Sequence, residues 1–152
     1  MNLVVVRPDG SIYARPDTTL VRGARDFYLP DDFSWVEVRP CRWIRILKSA
    51  KAVQERFAQR YYDAVGSGLL LYGDGTDALL DASTYIFDDA VPAGQPDSNG
   101  LMPDLIRHLN AALSAVTAHL LLHQGDLLIL ESPDSVTLHR GDAYSSADFL
   151  IR

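Results

Sequence analysis

The sequence has a single cysteine, Cys41, among 152 residues. One thiol excludes a disulfide framework and a cysteine-based zinc site within one chain. Long apolar runs are absent as well. Stretches such as Leu69–Tyr72 and Leu120–Leu122 fall far short of a membrane span. Leu3–Val6 is too short for the apolar region of a signal peptide and runs into the turn Pro8-Asp9-Gly10, so a cytoplasmic address is expected. Positive charge is missing from one whole section: residues 61–106 hold eight Asp and no Lys or Arg. Residues 1–60 hold eleven Lys/Arg against seven Asp/Glu, and the net charge is −6. A pI near 5.0 without a basic stripe argues against a nucleic-acid partner. The asymmetry suits head-to-tail association of chains, although a solvated acidic loop region is the simpler reading.

What is present is a core. The composition, 47% hydrophobic and 22% charged, fits one α+β domain over residues 1–152. Leu3–Arg7 and Ser11–Arg15 read as a hairpin. Val36–Leu47 reads as a strand whose first half Pro40 demotes to an edge or a bulge. Val53, Phe57, Tyr61 and Val65 recur every four residues, which predicts a helix over Ser49–Val65 that buries Phe57 and Tyr61 and stops at Gly66. Leu69–Tyr72 follows as a short buried strand, and Thr84–Phe87 as a short pairing piece. A second helix starts near Pro103 with the stripe Leu105, Ile106, Leu109, Leu113, Val116 and Leu120. Strands are expected at Leu127–Glu131, Val136–Arg140 and Ala147–Ile151.

Three stretches resemble the fumarylacetoacetate hydrolase family of hydrolases, isomerases, hydratases and decarboxylases of keto-acid substrates. The first is Arg15-Pro16-Asp17-Thr18-Thr19-Leu20, similar to a lysine-proline segment after an early strand. The second runs from Arg45-Ile46 through Ala50-Lys51 and Glu55–Gly68, similar to the strand, helix and glycine turn at the heart of that fold. The third is Gly125-Asp126-Leu127-Leu128-Ile129 with Ser132-Pro133 and Gly141-Asp142. Phe87-Asp88 is a fainter echo of a fourth segment. The resemblance implies a β-rich fumarylacetoacetase C-terminal-domain-like fold, trimmed, with two main helices. It also implies a homodimer, since a trimmed sheet leaves edges that need cover.

The departures bear on chemistry. The family holds a divalent cation through two glutamates spaced i, i+2 on a strand and an aspartate on the strand after the helix. Residues two apart on a strand point to one face, so the carboxylates converge on one ion. By the resemblance those positions fall on Arg39, Cys41 and Leu70, and a lysine position falls on Tyr85. The glycine-rich end of the turn after Ser132-Pro133 has become Asp134-Ser135-Val136-Thr137. A hard cation requires oxygen donors, and Arg39 would repel it. No metal, cofactor or catalytic residue is therefore expected. Arg39, Cys41, Leu70, Tyr85 and Ser132 mark a vestigial site that offers an anion pocket for a small carboxylate. The plain reading of Arg39 is an ion-paired residue on an edge strand.

Other candidates have plainer readings. Cys41 is a nucleophile only with a histidine beside it, and otherwise a packed core residue. His119 and His123, i and i+4 on the second helix with His108 behind them, lack the glutamate of a zinc-protease motif. Asp74, Asp77, Asp81, Asp88 and Asp89 lack the calcium-loop pattern and read as a solvated loop. Ser132 lacks a nucleophile elbow and reads as a turn residue. The expected function is that of a non-catalytic relative, a binding, regulatory or structural protein. The alternatives are a keto-acid hydrolase or isomerase working without the usual metal site, and a pseudo-subunit pairing with an active relative.

Overall fold

The alternation of side chains along each strand sorts this chain into an inner and an outer face. The computed structural model describes residues 1–22, 26–75, 81–97, 102–144 and 149–152. Gly23, Asp77 and the first residues of the expected strand Ala147–Ile151 lie outside them. The elements run β1 (Asn2–Val6), β2 (Ile12–Pro16), β3 (Leu20–Arg22), β4 (Val36–Ile46), β5 (Tyr62–Gly73), β6 (Val91–Pro96), α1 (Pro103–Thr117), β7 (Leu127–Glu131), β8 (Val136–Leu138), β9 (Ala143–Tyr144) and β10 (Phe149–Leu150). A 3-10 helix, Glu55–Tyr61, supplies the second helical layer.

The main sheet is mixed, in the order β2-β1-β7-β4-β5-β6-β3, with β8 also on β4; β9 and β10 form a separate ribbon. β1 and β2 make the expected hairpin, Leu3 opposite Arg15. Side chains from β1, β4, β5, β6 and β7 meet in one inner cluster that includes Leu3, Val5, Cys41, Trp43, Leu70, Tyr72, Val91 and Ile129. Strands this far apart in the order share one core only if the sheet is rolled. On the outer face, Val4, Val6, Ile44, Ile46 and Leu128 pack against Leu109, Leu113 and Val116 of α1. Farther along, Val36, Val38 and Leu71 pack on Phe27, Leu29 and Phe33. Among the described residues, no helix is long and apolar enough to cross a membrane.

Several expectations are corrected. The helix over Ser49–Val65 shrinks to the 3-10 segment, and the chain is already a strand at Tyr62 because Tyr62–Gly73 pairs along nearly all of β4. Phe57 and Tyr61 are only half-buried; Ala58 is the buried residue of that helix. β4 is central rather than an edge. Pro40 fits there because the β4–β7 ladder stops at Cys41 and the β4–β8 ladder starts at Val38. The Pro40 carbonyl accepts from the Ser132 amide at 2.9 Å on that side. A strand residue's N–H and C=O point the same way, so the donor that proline lacks faces this gap and no bond is lost. Thr84 ends a 3-10 turn, Ala82–Thr84, instead of opening a strand. α1 stops at Thr117, so His119 and His123 do not share a helical face, and Leu120 is exposed.

The two Gly-Asp pairs perform one job. Gly125 and Gly141 hold φ of 91° and 89°, where a side chain would be strained. Asp126 and Asp142 accept the amides of His123 and His139, each at 2.8 Å. Asp126 also accepts the Asn2 amide, which ties β1 to the start of β7.

Candidate functional site

On β4 the odd-numbered residues Glu37, Arg39, Cys41 and Trp43 share the inner face. Arg39 lies opposite Leu70, Glu37 opposite Tyr72 and Cys41 opposite Gly68 on β5. The structure thus brings Arg39, Cys41 and Leu70 to one region. Tyr85 reaches it as well, its ring edge-on to Tyr13 at 5.0 Å. Ser132 sits at the rim, where its hydroxyl accepts the Asp134 amide as a turn residue does.

The Arg39 guanidinium is committed. It pairs with Glu37 at 3.0 Å and donates to the carbonyls of Ser132 and Pro133 at 3.4 and 3.3 Å. Cys41 is buried, and burial pushes its thiol up to about 12, against a smaller opposing effect from the nearby Arg15 guanidinium. That thiol is a packing group at neutral pH. Leu70 is fully buried.

A larger polar constellation, not expected from the sequence, lies on the same face. Arg15 is 1% exposed, an extreme value for an arginine. Its Nη1 donates to the carbonyls of Leu71 and Tyr85, both at 3.0 Å, and its Nε and Nη2 donate to the Tyr13 hydroxyl at 3.0 and 2.8 Å. Its Cζ stands 4.7 Å from the ring centroid of Tyr72 and 5.5 Å from those of Tyr13 and Tyr85. The Tyr13 and Tyr72 hydroxyls are 2.5 Å apart, and Tyr72 donates to Oε1 of Glu131. Glu131 is itself buried and takes Arg7 Nε on its other oxygen at 2.9 Å. Burial raises the pKa of both phenols. The signal available in the sequence was alternation: Tyr13 and Arg15 are two apart on a strand, as are Ile129 and Glu131.

The donors available near Leu70 do not fit a hard divalent cation. The positions that the sequence resemblance assigns to metal ligands, Arg39, Cys41 and Leu70, carry a guanidinium, a protonated thiol and an alkyl chain. The nearby carboxylates, Glu37 and Glu131, are each neutralised by an arginine. Among the described residues, no group of three or more His, Cys, Asp or Glu gathers as a metal set would. A cleft of about 320 Å³ opens beside Cys41 and Glu131, between Arg42, Leu130 and the Ser132-Pro133 turn. Arg42 and Leu130 alternate to the outer face and Cys41 and Glu131 to the inner one, so residues of both faces line the cleft.

No family model matches the sequence, and no curated protein matches it. Solved structures do match. A 2-hydroxyhepta-2,4-diene-1,7-dioate isomerase from Mycobacterium marinum superposes with a TM-score of 0.82 at 18% identity, over 99% of this chain and 73% of that one. A fumarylpyruvate hydrolase from Pseudomonas aeruginosa, in complex with Mn2+ and pyruvate, gives 0.76 at 12% identity, over 100% and 90%. A protein from Yersinia pestis CO92 assigned to the fumarylacetoacetate hydrolase family gives 0.74 at 16% identity, over 93% and 84%. At these identities the likeness is one of fold: the chain has the α+β fold of fumarylacetoacetate hydrolase-like proteins.

Proposed function

We propose that this chain is a shortened, non-catalytic relative of the fumarylacetoacetate hydrolase family, using the fold as a binding, regulatory or structural scaffold. The observation that carries this reading is the state of the inner chamber. The Arg15 side chain fills it, every Arg15 nitrogen donates to a protein oxygen, and three tyrosine rings close around the guanidinium. A substrate would have to displace a buried, fully bonded cation, which is costly. The ligand positions of the family support the same reading, since Arg39, Cys41 and Leu70 offer no oxygen donors. The chain acts as a homodimer in this proposal; among the described residues β2, β3 and β8 of the main sheet each pair on one side, and exposed sheet edges need cover.

A retained keto-acid hydrolase or isomerase activity is the competing reading. The test is turnover of acylpyruvates and of 2-hydroxy-diene-dioates by the purified chain, with Mg2+ and Mn2+ each at millimolar concentration. The proposal expects rates equal to buffer with metal. Saturable turnover that disappears in Glu37→Gln would overturn it.

A further inference from the structure

The molecule carries two solvent-facing charge surfaces at opposite ends of β5. Next to its first residue, Arg56 and Arg60 each hold Cζ 4.6 Å from the centroid of the Phe57 ring. The two cations therefore stand within about 9 Å of each other, close to the screening length of about 8 Å at physiological salt. Lys48 Nζ lies 4.9 Å from the Tyr61 ring on the same helix. All three cations are exposed, and among the described residues none has an ion-pair partner. Arg56 donates from Nε to Gln54 Oε1, which carries no charge to offset it. Phe57 is half-buried beneath these two exposed guanidinium groups.

At the far end, β5 closes at Gly73 and exposed Asp74. The rings of Phe33 and Phe87 meet there, 5.6 Å between centroids, and Phe33 packs over Gly73. Their neighbours Asp32 and Asp88 are both exposed, as is Asp31, whose cation Arg140 stands 3.5 Å away. Twelve strand residues separate the two surfaces, which at about 3.3 Å per residue is roughly 35–40 Å.

We propose that a second copy of this chain docks antiparallel, placing Asp32 and Asp88 of each copy against Lys48, Arg56 and Arg60 of the other. A two-fold arrangement forms both contacts at once and closes the assembly, where a head-to-tail contact would propagate. Guanidinium edges held by an aromatic ring are preorganised for carboxylates. A long polyanion suits the molecule less well, because it would leave the exposed Asp32 and Asp88 without a counterpart. The inference rests on the homodimer reading and names its contact.

The test is sedimentation velocity of the full chain at about 50 and about 500 mM salt, conditions that shorten the screening length roughly threefold. A dimer is expected at low salt, with its dissociation constant rising about tenfold or more at high salt. Arg56→Glu/Arg60→Glu and Asp32→Lys/Asp88→Lys are each expected to be monomeric, and their equimolar mixture to recover the dimer. The milder Arg56→Gln/Arg60→Gln is expected to lose affinity in the same direction, which guards against a charge reversal that fails to fold. A wild type that is monomeric at low salt overturns the proposal, as do reversed variants that pair like wild type or a mixture that stays monomeric. A dimer indifferent to salt and to Arg56→Gln/Arg60→Gln leaves self-pairing standing and removes this contact alone.

Discussion

Arg15 and Glu131 are joined through two phenols rather than by direct contact. Tyr72 donates to the Glu131 carboxylate, so Tyr13 must donate to Tyr72, and Arg15 must donate to Tyr13. Every proton along this path points toward Glu131, and Arg7 donates to it from the other side. The charges of β2 and β7, at opposite sides of β1 in the sheet, are coupled through the core. Such a network is costly to half-satisfy.

Removing Arg15 is therefore expected to cost far more than a surface arginine would. Arg15→Met leaves the Tyr13 hydroxyl and two carbonyls without a donor in a closed chamber. The expected loss is about 3–5 kcal/mol by urea denaturation. Arg15→Lys should recover only part of it, because an ammonium cannot span the same three acceptors. A loss under about 1 kcal/mol for Arg15→Met would mean that water reaches the chamber.

Phe57 gives a contrasting case. Its ring is half-buried between guanidinium groups, so Phe57→Ala is expected to cost roughly 1–2 kcal/mol, below the 3–5 of a full core phenylalanine. Thermal melts of Phe57→Ala beside Leu113→Ala decide it, since Leu113 is fully buried on α1. Equal losses would place Phe57 in the core.

The Cys41 thiol is expected to resist labelling in the folded chain and to react only as fast as the protein opens. Its pKa is raised by burial from an ordinary 9.0 to about 12. An acid raised in the fold keeps its proton there after the unfolded chain has lost it. Its contribution to stability is whole below pH 9 and is lost as pH rises toward 12. Cys41→Ala should lessen the fall in stability between pH 9 and 10, below the range of the raised tyrosines. An equal fall in both proteins would place the thiol in contact with solvent.

Any small molecule held beside Leu70 is expected to be a carboxylate gripped by Arg39. Glu37 already occupies that guanidinium, so a ligand competes with it. A thermal-shift screen of pyruvate, oxaloacetate, citrate and phosphate should show larger shifts in Glu37→Gln than in wild type, and none in Arg39→Met. A ligand at a hundred times its dissociation constant stabilises by about 2.7 kcal/mol. Shifts that survive Arg39→Met would place the ligand elsewhere.

Much of the sheet was legible in the sequence because strand alternation and turn chemistry are local. The Pro8-Asp9-Gly10 hairpin and the Leu127–Glu131 strand needed no partner to be seen. The helix over Ser49–Val65 was not legible correctly, since a four-residue recurrence of apolar side chains also fits a loop residue, Val53, a short 3-10 turn and a strand. Pairing with β4 decided the outcome from Tyr62 onward, and the sequence of the helix alone carries no trace of that partner. Pro40 misled for the same reason: its tolerance depends on a gap between β7 and β8. At the site, the positions matched by resemblance did converge, but the buried path from Arg15 to Glu131 spans three strands and shows only as charged residues on inward-facing alternation.

The most direct test of the central claim is equilibrium binding of Mn2+, followed by the loss of the free-ion electron paramagnetic resonance signal. No saturable binding is expected at millimolar metal, because on the proposed reading Arg39 and Leu70 replace oxygen donors, and Glu37 and Glu131 are already paired. One equivalent of Mn2+ bound to wild type and lost in Glu37→Gln or Glu131→Gln would contradict it.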